Sequence, residues 1–141
     1  AAAALPRLGW AQPIAEFFSP IPTLPAIGQG ALGIEGRAND DFVRSILLRL
    51  NDQATHTTVT AERAFLHRLE GGCQVPIAAH ATLFDNDLVL EGLVASVDGK
   101  TVIRDQITGT HQEAYSLGVQ LADRLLSRGG DKILREIYES A

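Results

Sequence analysis

In AAHATLFDNDLVLEGLVASVDGKTVIRDQIT, residues 78–108, three apolar runs are divided by two short polar turns. Ala78 to Phe84 predicts a strand, Asp85-Asn86-Asp87 a turn, and Leu88 to Val97 a second strand. Asp98-Gly99 is a hairpin signal, because both residues tolerate the left-handed backbone of a tight turn. Thr101 to Thr108 then reads as a third strand. Connections this short join only antiparallel neighbours. Downstream, Ala114, Leu117, Gly118, Leu121, Ala122 and Leu125 recur at helical spacing. Gly129-Gly130 stops that helix, and Asp131 opens a last one with Ile133, Leu134, Ile137 and Tyr138 inward. Upstream, Asp52 caps a helix running to about Leu69, with Ala61, Phe65 and Leu69 on one face. The fold class is therefore α+β: a three-stranded antiparallel sheet covered by helices.

The residues before Asp52 read differently. Gly28 to Gly36 is a glycine-rich turn feeding the apolar run Ala31-Leu32-Gly33-Ile34, which predicts a strand buried on both faces. Asn39 or Asp40 caps a helix whose stripe is Phe42, Val43, Ile46, Leu47 and Leu50. In residues 1–24, Leu5 to Trp10 ends a helix, and prolines at 13, 20, 22 and 25 break regular structure. Trp10, Phe17 and Phe18 have little local surface to pack on, so they are expected to meet a portion absent here. The alanine start without Met points the same way, to a piece of something longer.

Composition narrows the functions. Net charge is −5 and only Lys100 and Lys132 are lysines, which argues against a nucleic acid as partner. No apolar run reaches the roughly 20 residues that span a bilayer. A single cysteine excludes an intrachain disulfide and suits a reducing compartment, so a cytoplasmic location, or an organelle's stroma or matrix, is expected. His56, His80 and His111 lack metal-ligand spacing with each other or with Cys73, and no metal site is expected.

That cysteine stands in Glu62-Arg63-Ala64-Phe65-Leu66-His67-Arg68-Leu69-Glu70-Gly71-Gly72-Cys73-Gln74-Val75-Pro76. A helix ends in two glycines, then a thiol, then a proline that cannot continue a helix. Such a thiol can carry a group covalently; the alternative is a small buried apolar residue. It follows a helix C-terminus, whose dipole does not favour a thiolate, so it does not read as a low-pKa catalytic nucleophile.

This segment resembles the cofactor-attachment segment of the porphobilinogen deaminase family, also called hydroxymethylbilane synthases. A second similarity, in the family's order and spacing, is Leu24-Pro25-Ala26-Ile27-Gly28-Gln29-Gly30-Ala31-Leu32-Gly33-Ile34-Glu35. The resemblance runs from about Leu8 to the C-terminus and begins more than halfway along the family's chain. It implies that residues 1–24 close the second of three domains. Residues 25–52 return to the first, a periplasmic-binding-protein-like α/β domain, as a strand and helix. Residues 53–141 form the C-terminal, cofactor-anchoring domain.

The resemblance also implies chemistry. Four porphobilinogen molecules are condensed, with loss of ammonia, into hydroxymethylbilane on a dipyrromethane held by a cysteine thioether, here at Cys73. Gln29 and Gly30 are implied to line the cofactor cleft, where a neutral amide offers both donor and acceptor; a plain turn is the alternative. Glu62 and Arg63 read either as an interdomain ion pair or hydrogen bond that positions the thiol loop, or as a solvated helix face. His67 and Arg68 either reach an anionic pyrrole side chain or lie exposed. The family's acid/base aspartate has no counterpart here, so no catalytic residue is assigned. The expected partners are porphobilinogen, the growing polypyrrole and the missing N-terminal portion, in one chain or two. Two other readings stand beside this one: an α+β binding or regulatory domain without catalysis, and, more weakly, a thiol hydrolase pairing Cys73 with a histidine.

Overall fold

Residues 4–10, 14–70 and 75–139 are described by a computed structural model of the chain. Strands β1 (Ile77–Phe84), β2 (Asp87–Ala95) and β3 (Val102–Thr110) form an antiparallel sheet in the order β1-β2-β3. The first turn is Asp85-Asn86, with Asp85 at φ +54, a left-handed conformation that a short polar side chain tolerates. The second closes around Ser96, whose N–H donates to the Thr101 carbonyl at 2.9 Å and whose hydroxyl donates to Asp98 at 2.6 Å. Hydrogen bonds from Ser96 and Lys100 hold the Asp98 carboxyl below its usual range. Because Ser96 closes the loop, β2 stops at Ala95 rather than Val97.

Strand alternation puts Ile77, Ala79, Ala81 and Leu83, then Leu88, Leu90 and Val94, then Ile103 and Ile107 on one face. Two helices cover that face, α3 (Gln53–Arg68) and α4 (Ala114–Leu125). From α3 and its end come Ala61, Phe65 and Leu69; from α4 come Leu117, Leu121 and Leu125. Phe65 is fully buried, worth about 1.5–3 kcal/mol in transfer free energy. Its ring lies so close to Gly92 that a Cβ there would meet it at 2.7 Å.

Caps fix where the helices start. Asp52 accepts from the Thr55 N–H at 2.7 Å, and that bond draws its carboxyl below the usual range. Before α4, a short turn at His111–Glu113 carries a capping box between Thr110 and Glu113. After α4, a wide turn at Leu126–Gly130 bends at Gly129 (φ +104) into α5 (Asp131–Glu139). Ile133 and Leu134 of α5 are buried as expected, but Tyr138 is 48% exposed. It lies at the flank of the stripe, where its hydroxyl donates to the Glu70 carbonyl.

The N-terminal third holds α1 (Ala4–Arg7) and α2 (Asp41–Leu50), the latter capped by Asp40, which accepts from Val43 N–H at 3.0 Å. The strand expected at Ala31–Ile34 is not formed: the stretch pairs with no described strand, and Leu32 is 79% exposed. A strand exists through its ladder, and an apolar run without a neighbouring strand cannot make one. The stripe on α2 is real in spacing, yet Phe42 is 75% exposed and only Val43 and Leu47 are half-buried. Gly36 lets the extended stretch lie against that helix, since a Cβ there would fall 2.9 Å from Leu47. Trp10, Phe17 and Phe18 are exposed.

Three contacts, at Ile21, Ile27 and Gly28, tie residues 21–28 to the C-terminal unit. Arg104 on the sheet's helix-free face donates to the Ile21 carbonyl at 3.0 Å and pairs with Glu91 at 2.5 Å. Leu24 is buried, Ile27 packs on the core, and the Gly28 N–H is held from α3. Among the described residues no helix is long and apolar enough to cross a membrane.

Candidate functional site

The turn Ala26–Ala31 is built by two backbone hydrogen bonds, Gln29 N–H to Ala26 carbonyl at 3.1 Å and Ala31 N–H to Gly28 carbonyl at 3.0 Å. Gly28 and Gly30 take φ +68 and +86, conformations that cost a residue with a Cβ roughly 1–2 kcal/mol. Gln29 and Gly30 are both exposed, so their polar groups face outward from a pinned backbone.

Glu62 pins it. The residue is 5% exposed, in the middle of α3. One carboxylate oxygen accepts from the Gly28 N–H at 2.7 Å, the other from the Ala81 N–H at 2.9 Å. Ala81 lies on β1, an edge strand whose outward N–H has no further strand to bond. His80 Nδ1 stands 3.8 Å from the same carboxylate. Glu62 is thus buried and hydrogen-bonded, not part of a solvated helix face. Arg63 and His67 are exposed, while Arg68 pairs with Asp123 of α4 at 2.7 Å and so joins two helices.

Cys73, with Gly71, Gly72 and Gln74, lies outside the described residues. Both approaches to that stretch are described. Leu69 on one side and Val75 on the other are buried in the core. Glu70 takes φ +53, and its carbonyl accepts from the Tyr138 hydroxyl of α5 at 2.5 Å. Sequence reasoning missed this bond, because it assigned Tyr138 to packing rather than to its hydroxyl. Tyr138→Phe is expected to raise the alkylation rate of Cys73 about threefold to tenfold, the value of one hydrogen bond, with little change in unfolding midpoint. Iodoacetamide labelling of the unloaded protein reads this, and an unchanged rate would show that the bond does not order the loop.

Two family models match the chain. Residues 56–127 match the "Porphobilinogen deaminase, C-terminal domain", and residues 1–45 match the "Porphobilinogen deaminase, dipyromethane cofactor binding domain". The chain belongs to the porphobilinogen deaminase family. Curated porphobilinogen deaminases agree. That of Pelobacter propionicus is 52% identical over 99% of this chain, and that of Trichlorobacter lovleyi 50% identical over 99%. The Syntrophotalea carbinolica protein is 52% identical over 95%. The chain spans 45% of the first two relatives' length and 42% of the third's.

Within this family the arrangement has a clear division. The stretch that matches the cofactor-binding domain contributes the outward-facing Gln29-Gly30 turn. The stretch that matches the C-terminal domain contributes the helix that leads to the thiol and the buried carboxylate that touches the turn.

Proposed function

We propose that this chain is the C-terminal, cofactor-anchoring part of an enzyme that condenses four porphobilinogen molecules into hydroxymethylbilane with loss of ammonia. The observation that carries this reading is the match of two successive porphobilinogen deaminase domains at about half identity along nearly the whole chain. On this reading residues 1–24 and 25–52 belong to the two preceding domains and 53–141 to the third. The remaining portion, in the same polypeptide or a second one, covers the exposed Trp10, Phe17, Phe42 and Leu32.

A dipyrromethane fits the residues present. The Gln29-Gly30 turn exposes an amide while its backbone is held from behind, a rigid platform for polar pyrrole substituents. Cys73 is the anchor: its sulfur bonds the methylene carbon of a porphobilinogen unit, and the thiol proton leaves with the amine as ammonia. When bound, the cofactor supplies the nucleophilic pyrrole carbon on which the product grows. A thioether is inert at neutral pH, so the anchor persists while the distal end reacts. Leu69, Glu70 and Val75 hold the loop's two stems, and Gln29 orients the cofactor's polar edge. Proton transfer falls to residues of the remaining portion, since nothing in this chain matches the family's acid/base motif.

An intact-mass spectrum of the full-length protein under denaturing conditions tests this. A mass above the sequence by two linked pyrrole units, localised to the peptide holding Cys73, is expected. A bare chain that also fails to gain mass on incubation with porphobilinogen would refute the anchor and favour a non-catalytic binding domain.

A further inference from the structure

The helices α3 and α4 cover one face of the sheet, and strand alternation puts Glu91, Leu93 and Ala95 of β2 and Arg104 of β3 on the other. That other face is unevenly exposed. Phe84 at one end is 62% exposed, whereas at the opposite end Leu93 is half-buried and Ala95 is buried. Leu24 is buried too, at 8% exposure, yet it stands outside the core cluster formed between sheet and helices. Its segment, Pro20-Ile21-Pro22-Thr23-Leu24-Pro25, has three prolines and so lacks three backbone donors. Such a segment cannot join a sheet through a ladder and must be held in another way.

Arg104 supplies that hold. It stands opposite Leu93 in the register, so Glu91 is its diagonal neighbour on the same face, within reach of a long side chain. Its Nε donates to the Glu91 carboxylate at 2.5 Å, and a second guanidinium nitrogen donates to the Ile21 carbonyl at 3.0 Å. A guanidinium is a rigid fork, so pairing with Glu91 fixes where the other nitrogen points. Seven residues further on, the Gly28 N–H is held at the β1 edge. Seven residues reach roughly 24 Å when extended, and the outer strands of a three-stranded sheet lie about 10 Å apart. The segment therefore has ample length to cross the face from β3 to β1.

We propose that the helix-free face of the sheet is an intramolecular docking surface, on which residues 20–25 lie as a proline-stiffened strap latched by Arg104. The Ile21 carbonyl is the strap's polar contact and Leu24 its apolar one. The prolines restrict the undocked segment, so less conformational entropy is lost when it docks. The strap and the C-terminal unit then move as one body. On the domain reading above, the strap is the passage from the second domain to the first, and the C-terminal unit grips the crossing between them. The latch itself does not depend on that reading.

Leu24→Cys in the full-length protein places a reporter thiol in the strap. Iodoacetamide labelling, read by mass on the peptide holding residue 24, follows how often the strap lifts. Arg104→Gln in this background should raise the labelling rate about threefold to tenfold, the value of one partly exposed hydrogen bond. A reporter in the helix-side core, Val94→Cys, should change by no more than about twofold, as for a local opening. Arg104→Lys should label like Arg104→Gln, because one ammonium nitrogen cannot serve Glu91 and the Ile21 carbonyl as the fork does. An unchanged rate at position 24 in Arg104→Gln would overturn the proposal. So would an equal rise at position 94, which is loss of stability, or a parental rate in Arg104→Lys. Should Arg104→Gln not fold, Glu91→Gln keeps the arginine and removes the charge that orients it. It should raise labelling at position 24 about twofold or more, and a parental rate would count against the latch. These rates are read without porphobilinogen, so a protein with no pyrrole mass on Cys73 refutes the anchor and leaves the strap standing.

Discussion

Changing Cys73 to serine is expected to give a protein of bare sequence mass whose porphobilinogen turnover falls by about a hundredfold or more, since covalent tethering replaces a bimolecular encounter by a fixed geometry. The fold should survive, because Leu69 and Val75 are buried in the core on either side and Tyr138 holds the Glu70 carbonyl. Serine is nearly isosteric, but its oxygen is a harder and much weaker nucleophile at neutral pH than a thiol. The helix before it offers no compensation, since α3 presents its negative end to the loop. The measurement is paired: intact mass for attachment, turnover for consequence. A serine variant that still gains pyrrole mass would place the anchor elsewhere. One with normal turnover and no added mass would remove the cofactor from the mechanism. A purely binding or regulatory domain would be indifferent to the change, so the same experiment separates the two classes of function.

The largest loss of stability is expected at Gly118. A Cβ there would lie 2.3 Å from the Ala61 carbonyl oxygen, 2.7 Å from the Ala64 Cβ and 2.8 Å from the Phe65 nitrogen. Two of these three are backbone atoms of α3, which cannot move without lifting the helix from the sheet. Overpacking of a core usually costs about 1–3 kcal/mol, and a backbone clash leaves no side chain free to relieve it. Gly118→Val is therefore expected to lose at least ~3 kcal/mol, with the midpoint of the C-terminal unit lower by on the order of 10 °C. Gly92→Ala is the instructive comparison. Its nearest obstacle is the ring edge of Phe65 at 2.7 Å, which tilts more easily than a helix shifts, so the loss should be smaller. Thermal and denaturant unfolding of the full-length variants would order them, and a Gly118→Val midpoint equal to the parent's would show that α3 and α4 can part without loss.

The two sites fail differently, and the difference bears on how damage to this protein should be read. Gly118 lies in the packing between α3 and α4, and a change there acts through the amount of folded protein. On the proposed reading a change at Cys73 acts through attachment, with the fold intact. Glu62 stands between them, since it is buried in the core yet holds the turn that bears Gln29. Its variants need exchange data beside activity, because activity alone cannot say whether position or stability was lost.

Local physics made the C-terminal unit legible in the sequence. The apolar runs and short turns of residues 78–108, Asp98-Gly99 among them, and the Asp52 cap each act within a few residues, and the sheet and α3 formed where they point. Ala31–Ile34 shows the opposite case. Its composition is that of a buried strand, but a strand needs a neighbour, and no described strand stands beside it. The α2 stripe is the same lesson for a helix: spacing defines an apolar face, and only another element can cover it. The sequence by itself determined the α+β unit, the family and the residues to suspect, Cys73, Gln29 and Gly30, because motifs and periodicity are local in the chain. That Glu62 faces inward to hold Gly28 and Ala81, and that Tyr138 reaches Glu70, came from tertiary packing alone, because these three hydrogen bonds join residues far apart in sequence whose meeting depends on how α3, β1 and α5 pack.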